Sequence, residues 1–253
     1  MTDTSIDSND NTVRLAKRVA DMHPCSRREA EQYIEGGFVS VDGVLVEEAG
    51  ARVAPEQQVV VAKDASLLEI VPVTILLNKP AGYNAGIGKD GAPALTLLGA
   101  DTLAPAAPPV REQRFLKRHL ANLTLTNALD TAASGLVVYT QDFRVARKLV
   151  DDASRVEQEL IVEVAGKIID NGLALLNHGL PFNGKPLPPI KVSWQNETRL
   201  RFALKDPKPG QIAHMCKLVG LSIVSMKRLR IGRIGMSSLA VGQWRYLQDF
   251  ERF

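Results

Sequence analysis

From Thr74 onward the sequence is broken into short apolar runs, each bounded by glycine, proline or a polar turn, and few are long enough for a helix. "TILLNKPAGYN" opens on a buried strand over Ile75–Leu77, and "LTLTNALD" and "GLVVYT" flank a turn as two strands. "EQELIVEVAGKI", "RLRFALK", "MKRLRIGRIGM" and "GQWRYL" supply further strands that close a sheet. Helices are predicted only for "DFRVARKLVDD" and for "GQIAHMCKLVGLSI", the latter with Met215, Leu218 and Val219 inward. Residues 84–118, rich in Gly, Ala and Pro, read as a long loop with a short helix at "ALTLLG". Many strands with few helices on one side predict an α+β domain over residues 73–250, built on a mixed or antiparallel sheet.

A smaller unit precedes it. Residues 1–12 are polar and acidic and read as a disordered tail. "VRLAKRVADM" places Leu15, Val19 and Met22 on one helical face before "HPCS" interrupts. "SRREAEQYIEGG" is a second helix: Ser26 and Glu29 have capping-box spacing, and Ala30, Tyr33 and Ile34 form its stripe. "FVSVDGVLV" is a hairpin turning at Asp42-Gly43, and "ARVAPEQQVVVA" adds one more short strand. Residues 13–61 thus form a helix-helix-hairpin unit, with residues 62–72 as linker.

The chain has a formal net charge of +3 and a pI near 8.9, too mild to identify a nucleic-acid binder by itself. Its distribution says more: ten Lys/Arg lie between Lys191 and Arg233 against two acids, Glu197 and Asp206. Lys227, Arg228 and Arg230 are the candidate phosphate contacts of that stretch. No run approaches a membrane span and no secretory leader is visible, so a cytoplasmic chain without membrane contact is expected. Cys25 and Cys216 lie in no disulfide or zinc spacing, and His119 and His214 have no metal-ligand spacing, so no metal is expected. A monomer is the default.

"RLAKRVADMHPCSRREAEQYIEGGFVSVDGVLV" resembles the S-four domain, a small RNA-binding module named after the fourth small-subunit ribosomal protein. That resemblance implies that Arg14, Lys17, Arg18, Arg27 and Arg28 face RNA phosphates. The succession "ILLNKPAG", "LDTAASGLVVYTQD", "ELIVEVAG", "GQIAHM", "KRLRIGRIG" and "GQWRYL" resembles the RsuA/RluF-type ribosomal RNA pseudouridine synthases, which carry an S-four domain in front. It implies a pseudouridine-synthase-like catalytic domain, ribosomal RNA as substrate with transfer RNA as the other candidate, and no cofactor. Asp130 stands at the place of the family's nucleophile, and Lys79 lies in an "NKP" motif near the cleft. From the residues alone Asp130 is equally a turn residue between two strands.

Around Asp130 the sequence departs from the family. The Arg before Leu-Asp is Ala128 and the Gly before that is Asn127. The Tyr of a Lys-x-Tyr strand is matched by Leu160, and Arg-Gln-Ile-Arg-Arg-Met becomes "GQIAHM", with Gly210 and Ala213 for two arginines and His214 for a third, while Gln211 is kept. Loss of a general base costs about 10²–10⁴-fold in rate, and loss of a preorganised charge partner costs a similar factor. A buried Asp130 lacking its Arg is expected to titrate upward. Candidate substitutes are His214, Lys79, an arginine of "REQRFLKR", Tyr83 and Tyr139. The expectations are therefore an RNA pseudouridine synthase or, alternatively, a catalytically impaired homologue acting as an RNA-binding or ribosome-assembly factor.

Overall fold

A computed structural model describes residues 11–67, 71–105 and 114–253, so most of the proposed N-terminal tail lies outside the described residues. The chain divides into two compact units, residues 1–71 with 114–121, and residues 72–113 with 122–253.

The first unit comprises β1 (Val13–Arg14), α1 (Leu15–Met22), α2 (Arg27–Glu35), β2 (Val39–Val41), β3 (Val44–Leu45), β4 (Arg52–Val53) and β5 (Val59–Val61). α2 starts where the sequence puts it because Ser26 and Glu29 cap each other's backbone N–H, at 3.2 and 2.7 Å. The hairpin turns at Asp42 and Gly43, with φ of 51° and 81°, the left-handed pair that a two-residue turn needs to match strand twist. Leu15, Val19, Ala30, Ile34 and Val39 are fully buried and form its core. Met22, expected on that face, is exposed, because α1 ends with it, beyond the reach of the core. The single strand expected after the hairpin is two, since β4 pairs with β1 and β5 with β2. Residues 114–121, of which 114–118 are assigned from sequence to the long loop, join this unit: Arg114 Nη1 donates to Gly37 O at 2.9 Å and its guanidinium lies 5.2 Å over the Phe38 ring.

The second unit contains β6 (Thr74–Lys79), β7 (Gly86–Ile87), β8 (Thr124–Leu125), β9 (Leu129–Asp130), β10 (Ser134–Thr140), α3 (Phe143–Val150), β11 (Glu157–Gly166), α4 (Gly172–His178), β12 (Lys191–Trp194), β13 (Arg199–Lys205), α5 (Gln211–Leu218), β14 (Leu221–Ile231), β15 (Ile234–Gly235) and β16 (Trp244–Tyr246). Its main sheet runs β12-β13-β11-β14-β10-β6-β16, with β15 on β14 and β8 on β10. It is mixed: β10 and β14 pair in parallel at Ser134–Lys227 and Gly135–Arg228, and the other pairings are antiparallel. Gly135, at φ 107°, permits that contact, because a Cβ there would lie 2.2 Å from Arg228 O. Alternate residues of β11 (Leu160, Val162, Val164) pack with Leu200 and Phe202 of β13 and with Met215 and Cys216 of α5.

Several boundaries differ from expectation. "LTLTNALD" is not one strand: β8 pairs with β10, whereas β9 pairs in parallel with β7. Between them buried Asn127 donates from Nδ2 to Leu149 O at 3.2 Å, which pulls the chain out of the sheet line. α5 stops at Leu218 rather than continuing through "LSI", because Gly220 takes φ 85° and β14 begins at Leu221. Leu218 consequently points outward and Val219 takes the buried place. α4 and β12 were not anticipated.

Candidate active site

Asp130 ends β9, and three bonds fix the turn that follows it. Its Oδ1 accepts from Ala132 N at 2.9 Å, its carbonyl accepts from Ala133 N at 3.0 Å, and Thr131 N donates to Ile87 O at 3.1 Å. The first bond is the Asx-turn geometry of a structural aspartate. Asp130 is nevertheless half-buried beside a cavity of about 530 Å³ that is partly open to solvent, and it supplies that cavity's one carboxylate among the described residues.

Two cations sit behind the turn. Lys79 is fully buried at the end of β6, and its Nζ donates to Tyr83 O, Pro80 O and Thr131 O at 2.7, 3.0 and 3.3 Å. Burial pulls its ammonium from 10.5 down to about 8, against the opposing pull of the Asp130 charge and with a further push from Arg228. Arg228, also buried, donates from Nε to Leu136 O at 2.7 Å, from Nη1 to Ala128 O and Gln158 Oε1 at 3.1 Å, and from Nη2 to Asn127 O at 2.8 Å. Desolvation lowers this guanidinium to about 9, so it stays charged at neutral pH, held by neutral oxygens. Neither residue is available at the surface to an RNA phosphate, which corrects the expectation for Lys79 and Arg228. Their sequence neighbourhoods look exposed and basic, but both strands are interior to the sheet. The expectation of a buried Asp130 is corrected, since it is half-buried, and of its candidate substitute cations Lys79 lies within electrostatic reach.

The cavity wall opposite is apolar. Leu160 (2% exposed), Ala128, Gly210 and Ala213 all line it, so four of the six positions that depart from the resemblance meet there, whereas Asn127 and His214 do not. Lys208 stands at its edge with Nζ 2.5 Å from Asp206 Oδ2. Gln211 is buried and receives Lys208 N on its Oε1 at 2.9 Å, a bond that shapes the start of α5 rather than facing the cavity. His214 points elsewhere too: its Nε2 lies 3.0 Å from Pro181 O and its ring meets Phe182 edge-on at 5.4 Å. Of the other substitutes, Tyr139 is buried within β10, with its phenol pushed up to about 12, and Arg114 and Arg118 belong to the first unit.

The expected RNA contacts divide. Arg14, Lys17, Arg27 and Arg28 are exposed on the first unit, Arg27 pairing with Glu31 at 3.4 Å. Arg18 is half-buried and donates to Pro55 O at 3.3 Å. On the second unit Arg230 is tied to Glu157 and Glu159 at 2.7 and 3.2 Å, and Arg201 to Glu159 at 2.7 Å. Three cations of the basic stretch, Arg199, Arg201 and Arg230, thus sit in cross-strand ion pairs, while Lys191, Lys205, Lys217 and Arg233 are exposed and Lys227 is half-exposed. Among the described residues no group of His, Cys, Asp and Glu could hold a metal ion, and no helix is long and apolar enough to cross a membrane.

Residues 13–59 match the S4 domain family. Over 96% of its length the chain is 28% identical to the dual-specificity RNA pseudouridine synthase RluF of Escherichia coli K12, covering 78% of that protein. It is also 28% identical to an uncharacterized RNA pseudouridine synthase of Aquifex aeolicus, covering 94% of each. It is 29% identical to SVR1 of Arabidopsis thaliana, a chloroplastic protein provisionally named a ribosomal large subunit pseudouridine synthase, and spans 59% of that longer chain. A crystal structure of a pseudouridylate synthase superimposes over 93% of this chain and 96% of its own with a TM-score of 0.58 at 20% identity, which shows a shared fold.

Proposed function

We propose that this chain, a relative of the S4-bearing RNA pseudouridine synthases along nearly its whole length, converts a specific uridine in ribosomal RNA, or in transfer RNA, to pseudouridine with Asp130 as nucleophile. The reaction breaks the N-glycosidic bond, turns the uracil and rejoins the ribose to C5, so the base must leave its stack and enter a pocket. The observation that carries this reading is that Asp130, which the resemblance sets at the family's nucleophile position, is the one carboxylate among the described residues lining a cavity partly open to solvent. Lys79 stands within electrostatic reach of Asp130, and Arg228 fixes the carbonyls of the two residues that lead into Leu129 and Asp130. The chemistry calls for neither a metal nor a nucleotide cofactor.

A second reading is favoured by the apolar wall. Leu160 offers no phenol to stack on a base or receive the C5 proton, and Ala128, Gly210 and Ala213 offer no charge. A protein that binds structured RNA and has lost turnover fits those four positions. Pseudouridine mapping of ribosomal and transfer RNA, from cells with and without the protein and complemented with wild type or Asp130→Asn, separates the two. The enzyme reading expects one site to vanish on deletion and to return only with wild type. Identical maps would leave the RNA-binding reading.

A further inference from the structure

α3 is held to the sheet by fully buried Leu149 and partly buried Val145, and much of its remaining apolar surface faces outward. Phe143 is 70% exposed and Val150 48% exposed. With Ala146 and Arg147 they follow an i, i+3, i+4, i+7 spacing along one wall of a groove of about 800 Å³, open to solvent, with Thr124 of β8 on the other wall. The Arg144 guanidinium stands 5.7 Å from the centre of the Phe143 ring. Arg144, Arg147 and Lys148 are all exposed, and among the described residues none of them has an ion pair. On β13 and β14, by contrast, Arg199, Arg201 and Arg230 are each paired with a glutamate.

We propose that α3 and this groove bind an unpaired segment of RNA, one base stacking on Phe143 and the adjoining phosphates meeting Arg144, Arg147 and Lys148. An exposed aromatic among unpaired cations combines the two elements of single-strand recognition, a π-face that accepts any base and charges that follow the backbone. A duplex has no free base face to offer Phe143, so the groove distinguishes single-stranded from paired RNA. Two carboxylates also line it: Asp142, whose Oδ1 accepts from Arg144 N at 2.8 Å, and exposed Asp151. Asp151 opposes a phosphate and limits affinity. The inference rests on the reading of this chain as an RNA-binding protein and is independent of turnover at Asp130.

The test uses the full chain, a blunt RNA hairpin, and the same hairpin carrying a ten-nucleotide oligouridine overhang, with fluorescence anisotropy over a range of salt concentrations. The overhang is expected to tighten binding by wild type. Phe143→Ala, harmless to folding at so exposed a position, is expected to remove about 5–100-fold of that gain without changing the salt dependence. Arg144→Gln with Arg147→Gln and Lys148→Gln is expected to lower the salt slope by about 2. Asp151→Asn is expected to tighten overhang binding. If the overhang gives wild type no advantage, or if Phe143→Ala and the triple variant retain it, the proposal is overturned while the hairpin affinity still supports an RNA-binding protein. If neither RNA binds, both readings fall together.

Discussion

Arg228 and Lys79 are the residues whose sequence context misleads most. In "KRLRIGRIG" nothing separates Arg228 from Arg230, yet the first is buried against backbone oxygens and the second is salt-bridged at the margin. Strand alternation alone would not divide them either, because the β11–β14 register shifts between Glu159 and Leu160, and that irregularity turns Arg228 inward. Arg228→Leu would leave the carbonyls of Asn127, Ala128 and Leu136 without this donor, and it is expected to lower stability by about 2–4 kcal/mol in urea unfolding. Lys79 carries a different signature. Its ammonium sits near 8 when folded and at its ordinary 10.5 when unfolded, so between those values the unfolded chain binds more protons. Stability is therefore expected to rise with pH from about 8 to 10.5 and to be penalised by the buried charge below that window. In Lys79→Met the rise across this window should be shallower than in wild type, as read by urea midpoints at a series of pH values.

At the scale of elements, two local devices set the frame of the site. Ser26→Ala removes one half of the α2 capping box and is expected to cost about 1 kcal/mol, visible as a lower urea midpoint. Gly135→Ala is more severe, since the new Cβ would lie 2.2 Å from Arg228 O and 2.7 Å from Arg228 N, main-chain atoms that cannot swing aside. It is expected to part β10 from β14 and to cost about 3 kcal/mol or more, with loss of the Asp130 turn geometry. The long strands, the α2 cap and the Asp42-Gly43 turn were legible in sequence because periodicity and turn chemistry act within a few residues. β7 and the break that divides "LTLTNALD" into β8 and β9 were not, because two-residue strands exist only through their partners: β9 is a separate strand because β7 lies beside it, about forty residues earlier in the chain. The site was legible to the same degree. Asp130 is singled out through the resemblance of its motif, and the structure sets it at a cavity, whereas the burial of Arg228 and the apolar wall depend on contacts across the sheet.

For the whole molecule, four exposed cations lie on the first unit and the cavity with Asp130 on the second, so the proposed phosphate contacts and the proposed chemistry can be varied separately. Lys17, Arg27 and Arg28 lie on the two helices of the S4 domain and Arg14 immediately precedes the first, all clear of the core that holds the unit together. Each one that meets a phosphate releases counterions, so Arg27→Gln with Arg28→Gln is expected to reduce the slope of log K against log salt by about 1.4–1.8 for a structured RNA. Part of that change is offset at Arg27, which already shares its charge with Glu31 across one helical turn. Asp130→Asn, isosteric and able to keep an oxygen for Ala132 N, should leave both the affinity and the salt slope unchanged while removing any pseudouridine the wild type makes. Anisotropy titrations of the two variants at matched salt, beside a pseudouridine map, measure these effects independently. A salt slope altered by Asp130→Asn would place RNA phosphate at the cavity mouth, and an unaltered slope in the arginine variant would move the binding surface off the S4 helices.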